Sequence, residues 1–205
     1  GWLRRSADLG WFTMLVPEAD GGGSVSGKGL LDAAMLAEEL GRHVQPGPFV
    51  PMNVVAHVVA RHGTDDQRAE LLPALVAGDV VATWAPHDAT GSWDLGAGVV
   101  VTASDGGHLR LDGVRGVVQD AQSADWLLIA ATLGDEPIHV LVSSEAPGVR
   151  ITPLTALDLG RRVGLLRRVG RLGRLLRPGG RSGQGEEKCR EKKTVHGVSG
   201  RIRGS

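Results

Sequence analysis

At Val80 the spacing of apolar residues changes period, and this change more than any other feature limits the folds open to this chain of 205 residues. Up to about Gly78 the spacing is helical. In SGKGLLDAAMLAEELGRH, Leu30, Ala33, Ala34, Ala37 and Leu40 share one face and Gly41 supplies a stop signal, which predicts a buried amphipathic helix. Pro51 suits a first helical turn ahead of MNVVAHVVARH, where Val54, Val55, Val58 and Val59 form an apolar stripe. His57, inside that stripe, reads as a core-edge histidine. In GTDDQRAELLPALVAG, Thr64 and Gln67 have capping-box spacing, Pro73 is expected to end or kink the helix, and Gly78 closes the segment. Beyond Val80 the runs VVATW, VVVTA, HLRLDGV, WLLIAAT, IHVLVSS and VRITPL are short, β-branched and separated by Gly, Asp and Pro. That is the pattern of an antiparallel β domain, with Asp105-Gly106 as a hairpin turn.

After Gly160 the vocabulary narrows to Arg, Gly and Leu. The formal net charge of +0 conceals the shift. Residues 1–160 hold 9 Lys and Arg against 20 Asp and Glu, whereas residues 161–205 hold 14 against 3, so a body of −11 carries a tail of +11. Leu165, Val169, Leu172 and Leu176 are spaced as a basic amphipathic helix, but Gly164, Gly170 and Gly173 each cost about 1 kcal/mol relative to Ala. Such a helix is marginal without a partner surface. Past Pro178 almost nothing apolar remains, and disorder is expected. All five Trp and both Phe precede position 127, so the tail has no aromatic anchor. Its charge suits phosphates or anionic lipid, but it offers no aromatics for base stacking, which argues against nucleic acid.

The single Cys, Cys189, excludes an internal disulfide, and no zinc spacing occurs. No apolar run reaches the length of a membrane span, and GWLRRSADLG has no signal-peptide core. A cytoplasmic protein without a membrane span is expected.

Five phrases, LGWFTMLVPEADGG, AEELGR, GTDDQRAELLPALVAGDVVATWA, LDGVRGVVQDAQSADWLLIAA and ITPLTALDLGRRVG, resemble the acyl-CoA dehydrogenase family in order and separation, over roughly Leu9 to Gly164. The resemblance implies an α+β chain. A helical domain spans 1–79, an antiparallel β-barrel-like middle domain spans 80–164, and a basic tail over 165–205 is largely disordered. It further implies FAD as cofactor, an acyl-CoA as substrate, and a C-terminal helical bundle that would make a full-length member nearly twice as long. The family removes the α proton of the thioester with a carboxylate and passes a hydride from the β carbon to flavin N5. That carboxylate usually lies in the bundle. None before Gly160 matches it, and Glu186, Glu187 and Glu191 stand in a segment unlike it, so no catalytic residue is nominated.

Two segments resemble the family's flavin-facing motifs. TWAPHDATGSWD keeps Pro86, Gly91, Ser92 and Asp94 of a pattern near L-T-E-P-G-A-G-S-D, but has Trp84 and Ala85 in place of its Thr and Glu. RGVVQDA offers Arg115, Val117 and Gln119 for the Lys, Trp and Thr of K-x-W-I-T-N. The candidate cofactor-binding residues are therefore Trp84, Pro86, Ser92, Val117 and Gln119, with Trp84 and Trp93 as an alternative stacking surface. Val cannot supply the aromatic contact, although Gln119 can still donate a hydrogen bond. The match fails after Leu165-Leu166-Arg167, as if the reading frame had slipped on GC-rich codons. Faces meant for the bundle would then be exposed, forgoing on the order of 10 kcal/mol and leaving a chain of marginal solubility unless a partner covers them. Three functions are compatible with these features. They are a dehydrogenase inactive alone, a non-catalytic subunit in a homo- or hetero-oligomer with a full-length dehydrogenase, and a basic arm for nucleic acid or anionic membrane.

Overall fold

A computed structural model describes residues 1–93, 98–103, 109–157, 162–171 and 174–176. Four helices come first: α1 (Trp2–Asp8), α2 (Gly29–Arg42), α3 (Phe49–His62) and α4 (Asp65–Val76). Thr64 and Gln67 form the expected capping box, with Thr64 N–H donating to Gln67 Oε1 (2.8 Å) and Gln67 N–H to Thr64 Oγ1 (3.2 Å). Pro73 does not end α4, which continues to Val76. Ala69 and Pro73 are both exposed, so water can take the carbonyl that the missing N–H leaves open. In α3, Val55 and Val59 are fully buried and Val54 and Val58 partly so. His57 sits at the core edge with Nδ1 2.8 Å from Leu15 O. Asn53 ties α3 to the preceding loop, accepting from Met14 N–H (2.9 Å) and donating to Trp11 O (2.7 Å).

Helix α2 departs from expectation. Only Ala33 is buried, while Leu30, Leu31 and Met35 are 75%, 52% and 62% exposed. Its periodicity is that of a covered helix, but within the described residues it packs only through Ala33 and its neighbours Leu36, Ala37 and Leu40 against Met14 and Phe49. Asp32 holds the turn before it, accepting from Ser26 Oγ (2.6 Å), Ser26 N–H (3.0 Å) and Ser24 Oγ (2.8 Å), bonds that lower its pKa to about 2.

Among the described residues eight strands follow: β1 (Ala82–Ala85), β2 (Val99–Ala103), β3 (Leu109–Gln119), β4 (Trp126–Leu133), β5 (Glu136–Ser143), β6 (Val149–Leu154), β7 (Val163–Arg171) and β8 (Arg174–Leu176). They form one sheet in the order β6-β7-β3-β2-β4-β5-β8, with β1 paired to β4. The expected antiparallel barrel-like domain is not formed. The sheet is open, ending at β6 and β8, and β4 runs parallel to both β1 and β2. Two short strands thus share one edge of β4, β1 along Trp126–Ile129 and β2 at Thr132 and Leu133. The sheet nonetheless curls enough for β1 to meet β3, since Thr83 Oγ1 donates to Gln119 O at 2.6 Å. Leu127, Leu128, Ile129 and Ala130 in β4 are all buried, so both faces of the central strand are covered, and α3 packs on the sheet through Met52 and β1.

The amphipathic helix expected over Leu165–Leu176 is not formed either. Strand β7 crosses Gly164 and pairs with β3 on one side and β6 on the other. Burial there alternates with period two, Leu166 and Arg168 inward and Arg167 and Val169 outward. Gly164 lies close to Ala121, Ile151 and Thr152, where a larger side chain would crowd the ladder. The hairpin turn at Asp105-Gly106, Asp94, the region beyond Leu176 and Cys189 lie outside the described residues, although β2 and β3 flanking that turn do pair antiparallel.

Candidate functional site

The two segments singled out in the sequence meet in space. Strand β1 ends at Ala85, and the chain turns through Pro86, His87 and Asp88 against the middle of β3. There the β3–β7 register shifts between Arg115 and Val118, marking a bulge. Gly116 N–H, at the bulge, donates to both His87 O (3.2 Å) and Asp88 O (3.1 Å). Only glycine fits here, because a Cβ on Gly116 would stand 2.6 Å from Asp88 O. The Arg115 guanidinium completes the joint from inside. It is fully buried and donates through Nε (2.9 Å) and Nη2 (2.5 Å) to Ala130 O on β4, and through Nη1 to Pro86 O (3.2 Å).

The bulge turns Val117 outward. It is half exposed with φ of 51°, a left-handed conformation that a β-branched residue adopts only under strain. Val117→Gly is expected to stabilise the fold by about 1 kcal/mol, because it relieves that strain and removes little buried surface. Urea denaturation would show a higher midpoint with an unchanged slope. Gln119, two residues on, is half-buried, with its carbonyl held by Thr83.

The loop after Pro86 is braced by Asp88. Its Oδ1 accepts from Thr90 Oγ1 (2.7 Å), Thr90 N–H (2.8 Å) and Ser92 N–H (2.9 Å). The Thr90 hydroxyl and these backbone donors hold the carboxyl below its ordinary range. Ser92 itself is exposed, and its carbonyl accepts from Asp88 N–H (3.2 Å). The loop also gathers rings. His87 meets Trp93 edge-on with centroids 4.1 Å apart, Trp93 lies 6.1 Å from Trp84, and Trp84 lies 6.5 Å from His139 on β5. Among the described residues Trp84 Nε1 and His87 Nδ1 are buried without a hydrogen-bond partner, whereas the Trp93 ring is largely exposed. Nothing in the sequence pattern marked His139, which reaches the cluster only through the β4–β5 register opposite Ala130.

Burial, reinforced by the Arg115 charge and more weakly by His62, pushes the His139 pKa below its ordinary 6.5. The unfolded chain therefore binds a proton at pH values where the folded chain does not. This contribution to stability is complete above about pH 6.5 and declines as the pH falls below it. His139→Gln is expected to flatten that part of a melting-temperature profile between about pH 7 and 5.

The structure thus sets the segment that holds Pro86 and Ser92 against the bulge that holds Val117, ties Gln119 to β1 through Thr83, and turns Trp84 toward Trp93 and His139. Among the described residues it shows no group of His, Cys, Asp and Glu able to hold a metal ion, and no helix long and apolar enough to cross a membrane.

A family model described as acyl-CoA dehydrogenase, N-terminal domain, matches residues 1–79. The mitochondrial isobutyryl-CoA dehydrogenase of Dictyostelium discoideum is 27% identical over 154 residues, covering 72% of this chain and 36% of that protein. Acyl-CoA dehydrogenase FadE26 of Mycobacterium tuberculosis is 28% identical over 142 residues, covering 66% of this chain and 31% of its own length. Among solved structures, a variant of the Tcur3481-Tcur3483 steroid ACAD aligns with a TM-score of 0.72 at 35% identity, over 86% of this chain and 47% of that one. The ChsE4-ChsE5 complex from Mycobacterium tuberculosis aligns with a TM-score of 0.72 at 28% identity, over 85% and 47%. The chain spans about a third of the curated relatives' length and about half of the structures it matches.

Proposed function

The chain belongs to the acyl-CoA dehydrogenase family, and from that premise we propose that it supplies the helical and β-sheet parts of a cleft for α,β-dehydrogenation of an acyl-CoA thioester with FAD, without being competent by itself. The observation that supports this reading is the joint at Gly116, whose N–H donates to His87 O and Asp88 O and so brings the segment after β1 against the strand that carries Val117 and Gln119.

The residues at the joint suit a flavin ring. Trp84 Nε1 and His87 Nδ1 are buried polar atoms without partners among the described residues, and a flavin's ring carbonyls and nitrogens would satisfy them. Trp84 and Trp93 would provide the ring surface that Val117 does not. Gln119 would add a hydrogen bond, while Pro86 and Ser92 shape the loop. When bound, FAD supplies the acceptor for the substrate hydride. Proton removal needs a separate base. Asp88 cannot serve, because its three hydrogen bonds stabilise the carboxylate and weaken its affinity for a proton. No residue of this chain is assigned that role.

A second reading is favoured by two similar structures whose names pair polypeptides, Tcur3481-Tcur3483 and ChsE4-ChsE5. In that reading the chain is a subunit of a mixed oligomer, and the partner contributes the base and covers the exposed α2 face. Both readings are tested by titrating the purified chain with FAD, then adding an acyl-CoA and a dye acceptor, with and without a full-length dehydrogenase from the same source. The expected result is weak flavin binding and no dye reduction by the chain alone. Dye reduction by the chain alone would overturn the claim of incompetence. A rise in turnover on mixing, beyond that of the full-length enzyme, would favour the mixed oligomer.

A further inference from the structure

We propose that the outer face of the β6–β7 ladder is a binding site for a phosphate-class anion, held between Arg150 and Arg167. The register sets these two residues directly opposite one another on adjacent antiparallel strands, so both side chains rise from one face with Cβ atoms about 5 Å apart. Both are exposed, and among the described residues neither forms an ion pair. The neighbouring strand offers no relief. Val114 stands beside Arg167, and the one carboxylate on that stretch, Asp112, is taken by Arg110 at 2.5 Å. Like charges directly opposed across a ladder destabilise it unless a counter-ion lies between them.

A cavity of about 520 Å³ opens there, lined by Gly148, Arg150, Arg167 and Val169. Its floor is rigid. Val169 N–H donates to Gly148 O at 3.1 Å, and Gly148, with φ of 86°, cannot carry a side chain because a Cβ would fall 1.9 Å from Val169 O. Buried Arg168 braces the same turn from beneath by donating to Pro147 O. Two guanidinium forks over a fixed glycine rim match the oxygens of a phosphate or diphosphate group, where each fork makes paired charge-assisted hydrogen bonds. The occupant is a small phosphate-bearing molecule, and the inference is independent of the flavin reading.

The test uses the full chain with inorganic pyrophosphate as probe, measured by calorimetry and by the ligand-induced rise in melting temperature at constant ionic strength. Binding is expected to weaken about tenfold in Arg150→Gln and in Arg167→Gln, and to vanish in the double variant. Arg167→Lys should retain part of the affinity, having the charge without the fork. Both positions are exposed, so the variants should melt at or above the parent temperature without ligand, since the repulsion is removed. The proposal is overturned if pyrophosphate binds the double variant as it binds the parent, or if sulfate at equal ionic strength reproduces the whole effect. It is equally overturned if the parent ignores pyrophosphate but binds single-stranded DNA through these arginines, which would make the face a polyanion surface.

Discussion

Arg115→Ala is expected to lower the melting temperature by roughly 10 °C, the largest loss from any single substitution in the sheet. The side chain is fully buried, and its hydrogen bonds to Pro86 O and Ala130 O join segments that are distant in sequence, Pro86 just after β1 and Ala130 in the middle of β4. Truncation leaves a void the size of the guanidinium stem, removes the donors facing Ala130 O and Pro86 O, and frees the loop that carries His87 and Trp93. A cavity and an unmade buried hydrogen bond together cost about 3–5 kcal/mol. Arg115→Met separates the two contributions. It refills most of the volume and should recover part of the loss, since apolar replacement of a buried charged group is often nearly neutral. If Arg115→Ala melts within a few degrees of the parent, the loop is held by something other than this residue.

Arg115 also shows what could be seen in advance. Its place in the second segment was legible because the phrase resembles a motif in which a Lys stands at that position. Its job was not, since the role depends on Pro86 and Ala130 arriving from other strands. The same division runs through the fold. The α4 cap was legible because its two partners are three residues apart, and the six apolar runs after Val80 are all strands. Local spacing cannot encode which strand lies beside which, so the parallel pairing of β1 and β2 with β4, which breaks the antiparallel expectation, was invisible.

Two segments misled for opposite reasons. Helix α2 has the period of a buried helix, but the described residues cover only Ala33, Ala37 and Leu40 of the expected face and leave Leu30 and Ala34 exposed. Residues Leu165–Leu176 have leucines at helical spacing, but as far as Arg171 the open edges of β3 and β6 offered backbone partners that a glycine-broken helix could not match. The segment therefore pairs as a strand and buries Arg168 among its apolar neighbours. Burial depresses that guanidinium's pKa, and the charge of Asp112 works against the shift. At the site, the ring cluster was half legible: Trp84 and Trp93 fall within one segment of sequence, whereas His139 joins only through the sheet.

Gly116→Val is expected to cost about 2–4 kcal/mol and to pull the two candidate segments apart. The added Cβ would lie 2.6 Å from Asp88 O and 3.1 Å from Ala89 Cα, both backbone atoms that cannot turn aside as a flexible side chain would. The loop must retreat, and the bonds from Gly116 N–H to His87 O and Asp88 O break with it. His87 and Trp93 travel with the loop, while Trp84 stays on β1, so the Trp84–Trp93 contact at 6.1 Å should open. Near-ultraviolet circular dichroism and tryptophan emission should therefore change strongly while the far-ultraviolet spectrum is largely kept. FAD binding should fall in parallel, because the loop carrying His87 and Trp93 would move away from Trp84. Gly116→Ala places the same Cβ with less bulk beyond it and should show a smaller shift in the same direction. A Gly116→Val chain with parental tryptophan signals and parental stability would mean that the loop is not seated on the bulge. The candidate site would then have lost the contact that assembles it.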